Sequence, residues 1–101
     1  MIDISDEYIN KLSNIFSLLS SPIRIRILNI LIETPVCVNH ISKKLNISQP
    51  LASQHLKVLK ENGFVVCERE AQKIRYKISS ENLKNYLKNL FTETKNIEVI
   101  Q

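Results

Sequence analysis

Apolar residues recur along this chain with two different periods. Tyr8, Ile9, Leu12, Ile15, Phe16 and Leu19 fall three and four apart, which lines one face of a helix over residues 6–19. Ser20, Ser21 and Pro22 follow. A serine cap with proline in the first turn starts a second helix over residues 23–33, and Thr34-Pro35 ends it. Ile and Leu run around much of that helix, so it is expected in the core. Residues 39–45 suit a short third helix, with Ile41 and Leu45 one turn apart, and Asn46-Ile47-Ser48 reads as a turn. Ser48 can cap a fourth helix over residues 49–62, in which Pro50 occupies the first turn where a missing N–H does no harm. Ala52, Leu56 and Leu59, flanked by Leu51 and Val58, form its inner face, and Asn62-Gly63 closes it with a left-handed cap.

The period then shortens to two. Residues 64–69 and 73–79 alternate and are rich in β-branched and aromatic side chains, with Glu70-Ala71-Gln72 as the tip of a hairpin. In the second strand Ile74, Tyr76 and Ile78 share one face and Lys73, Arg75 and Lys77 the other. A last helix opens at Ser79 or Ser80 and carries Leu83, Tyr86, Leu87, Leu90 and Phe91, while residues 95–101 show no pattern. The expected fold is mainly α with a β-hairpin: a winged helix-turn-helix of about five helices and a two-stranded wing, forming a single domain over residues 1–101.

Composition narrows the functions. The single glycine, Gly63, rules out a glycine-rich phosphate loop. The apolar run at residues 27–32, broken by Asn29, is too short to span a bilayer. Residues 1–7 are acidic and lack the basic start of a signal peptide, so a cytoplasmic protein without membrane contact is expected. Two cysteines, Cys37 and Cys67, are too few for a disulfide framework. The net charge is +4, and the middle of the chain is more basic than the whole. Residues 20–79 hold ten bases (Arg24, Arg26, Lys43, Lys44, Lys57, Lys60, Arg69, Lys73, Arg75, Lys77) and four acids (Glu33, Glu61, Glu68, Glu70), a balance of +6. Such a segment suits a polyanionic partner, although a solvated surface accounts for charge alone equally well.

A short helix, a tight turn and a second helix with a polar outer edge make a helix-turn-helix, and the second helix is sized for the major groove of double-stranded DNA. With the inner face assigned, Ser48, Gln49, Pro50, Ser53, Gln54 and Lys57 lie outward. Gln pairs bidentately with adenine, Ser bonds several base edges, and Lys57 and Lys60 suit phosphates. Lys73, Arg75 and Lys77, with Arg69 across the hairpin, suit a wing that grips the backbone. His55 either packs on the helix flank or reaches DNA. No carboxylate pair, nucleophile–base set or complete metal site suggests an enzyme.

The segments Ser21-Pro22-Ile23-Arg24-Ile25-Arg26-Ile27-Leu28 and Leu45 to Val65, above all Ser48-Gln49 and Ser53-Gln54-His55-Leu56-Lys57-Val58-Leu59, resemble the ArsR/SmtB repressors. Arg69-Glu70-Ala71-Gln72 followed by Tyr76 resembles the HlyU-like branch, several members of which sense thiol oxidation. The resemblance covers about residues 12–90. It implies a transcriptional repressor that binds DNA as a homodimer through its first and last helices (residues 6–19 and 80–94), with Leu12, Phe16, Leu83, Leu87 and Leu90 at the interface. It also implies a recognition helix at residues 49–62 and release of DNA by an inducer that the sequence leaves unnamed. The alternative is a winged-helix module that binds another protein and has no sequence-specific affinity for DNA.

The sensing chemistry is less complete. Members of the family that hold metal at the third helix use two cysteines; here Val36-Cys37-Val38-Asn39-His40 replaces the second with Asn39. Those using the last helix need histidine, and residues 80–95 have none. Cys37 and His40, three apart, are two of the three or four ligands a zinc site needs, and Asp3 or Asp6 of a second subunit would have to complete it. No cofactor is therefore expected. The cysteines of the thiol-sensing relatives lie in the second and last helices, where this chain has none. Cys67, in the first wing strand between Val66 and Glu68, could report oxidation to the wing. Cys37 and Cys67 are thus the candidate sensor residues, and two structural thiols are the competing reading.

Overall fold

The computed structural model of the chain describes residues 1–98 and contains five helices and one hairpin. In chain order they are α1 (Asp6–Leu19), α2 (Pro22–Glu33), α3 (Val38–Leu45), α4 (Gln49–Glu61), β1 (Val65–Glu70), β2 (Lys73–Ile78) and α5 (Glu81–Thr94). The domain expected over residues 1–101 extends into residues 99–101, which lie outside the described residues.

Serine starts four of the five helices. Ser5, Ser21, Ser48 and Ser80 each take an extended backbone, and each hydroxyl accepts a hydrogen bond from the amide three residues on. Each satisfies one of the amides that a helix start leaves without a partner. The chain turns by 91° between α1 and α2, and Arg24 Nε donates to the Leu18 carbonyl at 2.7 Å across the corner. Gly63, at φ 77, is the left-handed residue that ends α4, as its sequence position foretold.

Helix α2 lies at the centre, with α1, α3, α4, α5 and β2 packed around it. Ile27, Leu28, Ile41, Ala52, Leu56 and Leu59 are completely buried, and Leu31, Val65, Phe64 and Ile78 extend the core to the base of the wing. The second helix is less uniformly buried than its sequence suggests. Arg24 is half-buried, and Ile25 and Arg26 face outward, so its apolar girdle has an open side.

The hairpin pairs Val65 with Ile78 at its base and Glu70 with Lys73 at its end. This leaves a two-residue tip, Ala71-Gln72, in place of the three-residue tip read from sequence. Ala71 takes φ 56, a conformation normally given to Gly or Asn, and so its turn carried no composition signal. Val36 adds one bridge to the outer edge of β2, exchanging both backbone hydrogen bonds with Tyr76 at 3.1 and 2.8 Å.

Two substitutions separate packing from backbone conformation. Leu56→Ala opens a cavity in a fully buried site and should cost about 2–5 kcal/mol. Gly63→Ala meets no atom within 4 Å of the new Cβ, so its cost is conformational alone, about 1–2 kcal/mol. Urea denaturation of both variants checks the order.

Candidate nucleic-acid interface

The turn between α3 and α4 fixes the second helix against the first. Asn46 adopts the left-handed conformation (φ 54, ψ 49), which a short polar side chain tolerates. The Ile47 amide returns to the Ser42 carbonyl at 3.0 Å, and the Ser42 hydroxyl donates to the Ile47 carbonyl at 2.6 Å. Ser42 is buried, so this reciprocal pair satisfies polar groups that water does not reach. Sequence reasoning missed Ser42, because nothing in its neighbours distinguishes it from any other helical serine.

Helix α4 then presents its polar edge. Ser48, Gln49, Pro50, Ser53, Gln54 and Lys57 are all exposed, while Ala52, Leu56 and Leu59 are buried. Ser48 is partly committed, since its hydroxyl accepts from the Leu51 amide at 3.2 Å. Gln49 is held by Asn39 of α3, to whose Oδ1 its Nε2 donates at 2.8 Å. Lys57 lies 4.0 Å from Glu61 on the next turn, both well exposed, a pairing too weak in water to withhold the lysine. His55 is half-buried on the flank of α4. Burial, and secondarily the Arg24 guanidinium, lower its pKa below the ordinary histidine value, which disfavours the imidazolium.

The wing differs from its sequence reading. Directly paired residues of an antiparallel hairpin point to the same side. Lys73, Arg75 and Lys77 therefore share a face with Glu70, Glu68 and Val66, whereas Arg69 lies with Ile74, Tyr76 and Cys67 on the opposite face. Arg69 does not complete a basic face with the other three. Arg75 sits 3.6 Å from Glu70, and Lys77 pairs with Glu68. The face carries three bases and two acids, a net +1, in place of the uncompensated row expected from β2 alone. Lys73 and Arg69 at the outer end have no carboxylate within 4.0 Å among the described residues.

Cys37 and Cys67 are both free and half-buried. Cys67 pairs across the hairpin with Tyr76, and Val36 flanks Tyr76 on the other side. Two strand spacings, about 10 Å, thus separate Cys67 from Val36, the residue before Cys37, and no disulfide joins the two cysteines. Burial, and then the Cys67 thiol, raise the Tyr76 pKa. Cys37 is the N-terminal cap residue of α3 and makes no capping bond, and His40 is exposed. Among the described residues no group of three or more His, Cys, Asp or Glu side chains gathers around them or elsewhere.

The residues expected at a dimer interface separate into two sets. Leu12, Phe16 (59% exposed) and Leu90 (43% exposed) face outward, and Tyr8, Ile9 and Tyr86 join them. Leu87, at 3% exposure, belongs to the protomer core, and Leu83 packs against that core. Helical spacing put Leu83 and Leu87 in the same apolar set as Leu90 and could not tell which part α2 already covers. Phe16 and Leu90 border a groove of about 480 Å³ between α1, α2 and α5. Among the described residues no single helix is long and apolar enough to cross a membrane.

Residues 21–66 match the family described as bacterial regulatory protein, arsR family. The chain is 35% identical over 77 residues to the HTH-type transcriptional repressor SmtB of Mycobacterium tuberculosis; the match takes in 76% of this chain and 57% of that one. The chain thus spans little more than half the length of that relative. It is 30% identical over 83 residues to the biofilm growth-associated repressor of Xylella fastidiosa, over 82% of this chain and 73% of the relative. Reduced HlyU from Vibrio cholerae superposes with a TM-score of 0.78 at 28% identity, over 87% of this chain and 93% of that one. A homodimeric winged helix-turn-helix DNA-binding domain from Mycobacterium bovis superposes with a TM-score of 0.82 over 95% of this chain and 92% of its own. Its 22% identity makes that likeness one of fold: a winged helix-turn-helix.

The half-buried His55 makes folding sensitive to pH. With its folded pKa below the ordinary value of 6.5, the unfolded chain binds the proton more readily, so stability is complete above that value and falls as pH drops through it. His55→Gln should flatten the dependence of the urea midpoint between about pH 7 and pH 5. An unchanged slope would assign the dependence to other groups.

Proposed function

This chain belongs to the arsR family of bacterial regulatory proteins, and we propose that it acts as a single-domain cytoplasmic repressor, binding specific double-stranded DNA sequences as a homodimer. The observation that carries this reading is the locked turn before α4. It holds a helix with a solvent-facing polar edge rigidly against a buried core, next to a wing. A reading helix needs that rigidity, because hydrogen bonds to base edges discriminate only when donors and acceptors are held in register.

Within this reading Ser53 and Gln54 face base edges, with Gln49 and Pro50 at the helix entry. Ser48 and the free amides of the first turn meet a phosphate, favoured there by the helix dipole. Lys57, Lys73 and Arg75 contact the backbone, with Arg69 on the reverse face of the wing. The ion pairs of the wing are exposed, so phosphates can replace Glu68 and Glu70 at little cost.

The dimer face consists of Leu12, Phe16 and Leu90 with Tyr8, Ile9 and Tyr86. The protomer is elongated, 49 × 32 × 22 Å with a radius of gyration of 14.9 Å, against about 13 Å for a compact chain of 100 residues. A second copy laid on this face would bury side chains that one protomer leaves in water. Two-fold symmetry would then place two copies of α4 about 34–36 Å apart, one turn of DNA.

Fluorescence anisotropy on the duplex upstream of the gene, against scrambled competitor, tests the reading. Tight, selective and salt-sensitive binding is expected. Weak affinity, equal for every sequence, would instead favour a protein-binding winged helix. Lys57→Ala should weaken binding to all duplexes alike and lower the salt slope by about one, whereas Gln54→Ala should change base preference. Glu70→Gln should tighten binding to every duplex, since it releases Arg75. For the dimer, Phe16→Glu alters a side chain exposed in the protomer. It should therefore leave the fold intact while halving the mass by sedimentation and reducing operator affinity.

A further inference from the structure

We propose that Asn39, on the first turn of α3, is a positioning residue that sets the base preference of Gln49, and that the base read by Gln49 is adenine. The inference rests on the DNA-binding reading of α4. Gln49 Nε2 donates to Asn39 Oδ1 at 2.8 Å, a side chain–side chain hydrogen bond between two uncharged, exposed residues. It joins the two helices of the motif across a separation of ten residues.

A glutamine at the start of an exposed helix ordinarily samples many rotamers, and ordering it opposes base readout. The Asn39 bond removes much of that freedom before DNA arrives. It uses one of the two N–H groups of Gln49. In the proposed arrangement Asn39 takes the N–H that points away from the carbonyl, which leaves the carbonyl oxygen and the other N–H side by side in the amide plane. That pair is the acceptor–donor edge that matches N6 and N7 of adenine. Guanine presents acceptors at both positions and would leave the Gln49 oxygen facing an acceptor. By contrast, Gln54 has no hydrogen-bonding partner for its side chain among the described residues. Gln49 therefore enters the groove already oriented, and Gln54 does not.

Asn39 itself is exposed, and its backbone lies in a helix whose core residue is Ile41, so replacing its side chain leaves the packing of the motif untouched. The experiment is selection of bound duplexes from a random pool with the wild type, Gln49→Ala, Asn39→Ala and Asn39→Asp, with thermal unfolding of each variant as a control on folding. The wild type should enrich adenine at one position of each half-site, and Gln49→Ala should lose that preference. Asn39→Ala should lose it at the same position, by about tenfold in the ratio of adenine to other bases. Asn39→Asp keeps an acceptor for Nε2 while adding a negative charge. It should retain the adenine ratio and weaken binding to every duplex.

Three outcomes would overturn the inference. The first is an Asn39→Ala variant with the wild-type adenine ratio. The second is loss of the ratio in Asn39→Asp as well as Asn39→Ala, and the third is a preference at the Gln49 position for a base other than adenine. If the wild type enriches no sequence at all, the DNA-binding reading falls, and this assignment falls with it.

Discussion

The Ser42 hydroxyl and the Ile47 carbonyl, 2.6 Å apart, hold together the two helices on which the rest of the molecule depends. The turn has only three residues, and one of them, Asn46, must be left-handed for α4 to leave at the angle that buries Ala52, Leu56 and Leu59. A buried hydroxyl that lost its acceptor there would cost about 1–3 kcal/mol and would free the angle of α4. The polar edge of α4, its capped N-terminus and the link from Gln49 to Asn39 all inherit their positions from this closure.

Most of the architecture was legible in the chain itself. Serine caps, the 3.6-residue period of the helices, Gly63 at the end of α4 and the switch to alternation at the wing each rest on local physics. Every element boundary was therefore readable to within a residue or two. The remaining offsets are instructive. Ala71 occupies a left-handed turn position without the residue type that announces one, so the tip of the hairpin was placed one residue too wide. Helix α3 starts at Val38, one residue before the expected Asn39; Cys37 caps it by backbone geometry alone, with no side-chain bond to announce the start.

Non-local features were harder to read. Leu87 and Leu90 sit three apart on one helix, yet α2 covers the first and leaves the second in water. Only the packing of α5 on α2 decides between them. Likewise, the basic alternation of β2 is plain in sequence, but its neutralisation by Glu68 and Glu70 depends on strand register. Arg69, read as a partner of those bases, lies on the other side of the hairpin for the same reason. Of the ten bases that make the middle of the chain positive, Arg24 serves the corner between α1 and α2, and Lys57, Arg75 and Lys77 lie beside glutamates. The polar edge of α4, not the net charge, is therefore the stronger mark of a sequence-reading surface. The two cysteines likewise fall on different elements, one at the cap of α3 and one inside the wing, and both are free.

The proposed recognition of DNA requires two copies of α4 presented by one symmetric dimer. Hydroxyl-radical footprinting on the bound duplex, combined with the mass of the complex by sedimentation, tests that claim most directly. The predicted result is two protein chains per duplex and two protected half-sites related by a dyad, their centres about one helical turn apart. One chain per duplex, or protection without a dyad, would contradict it.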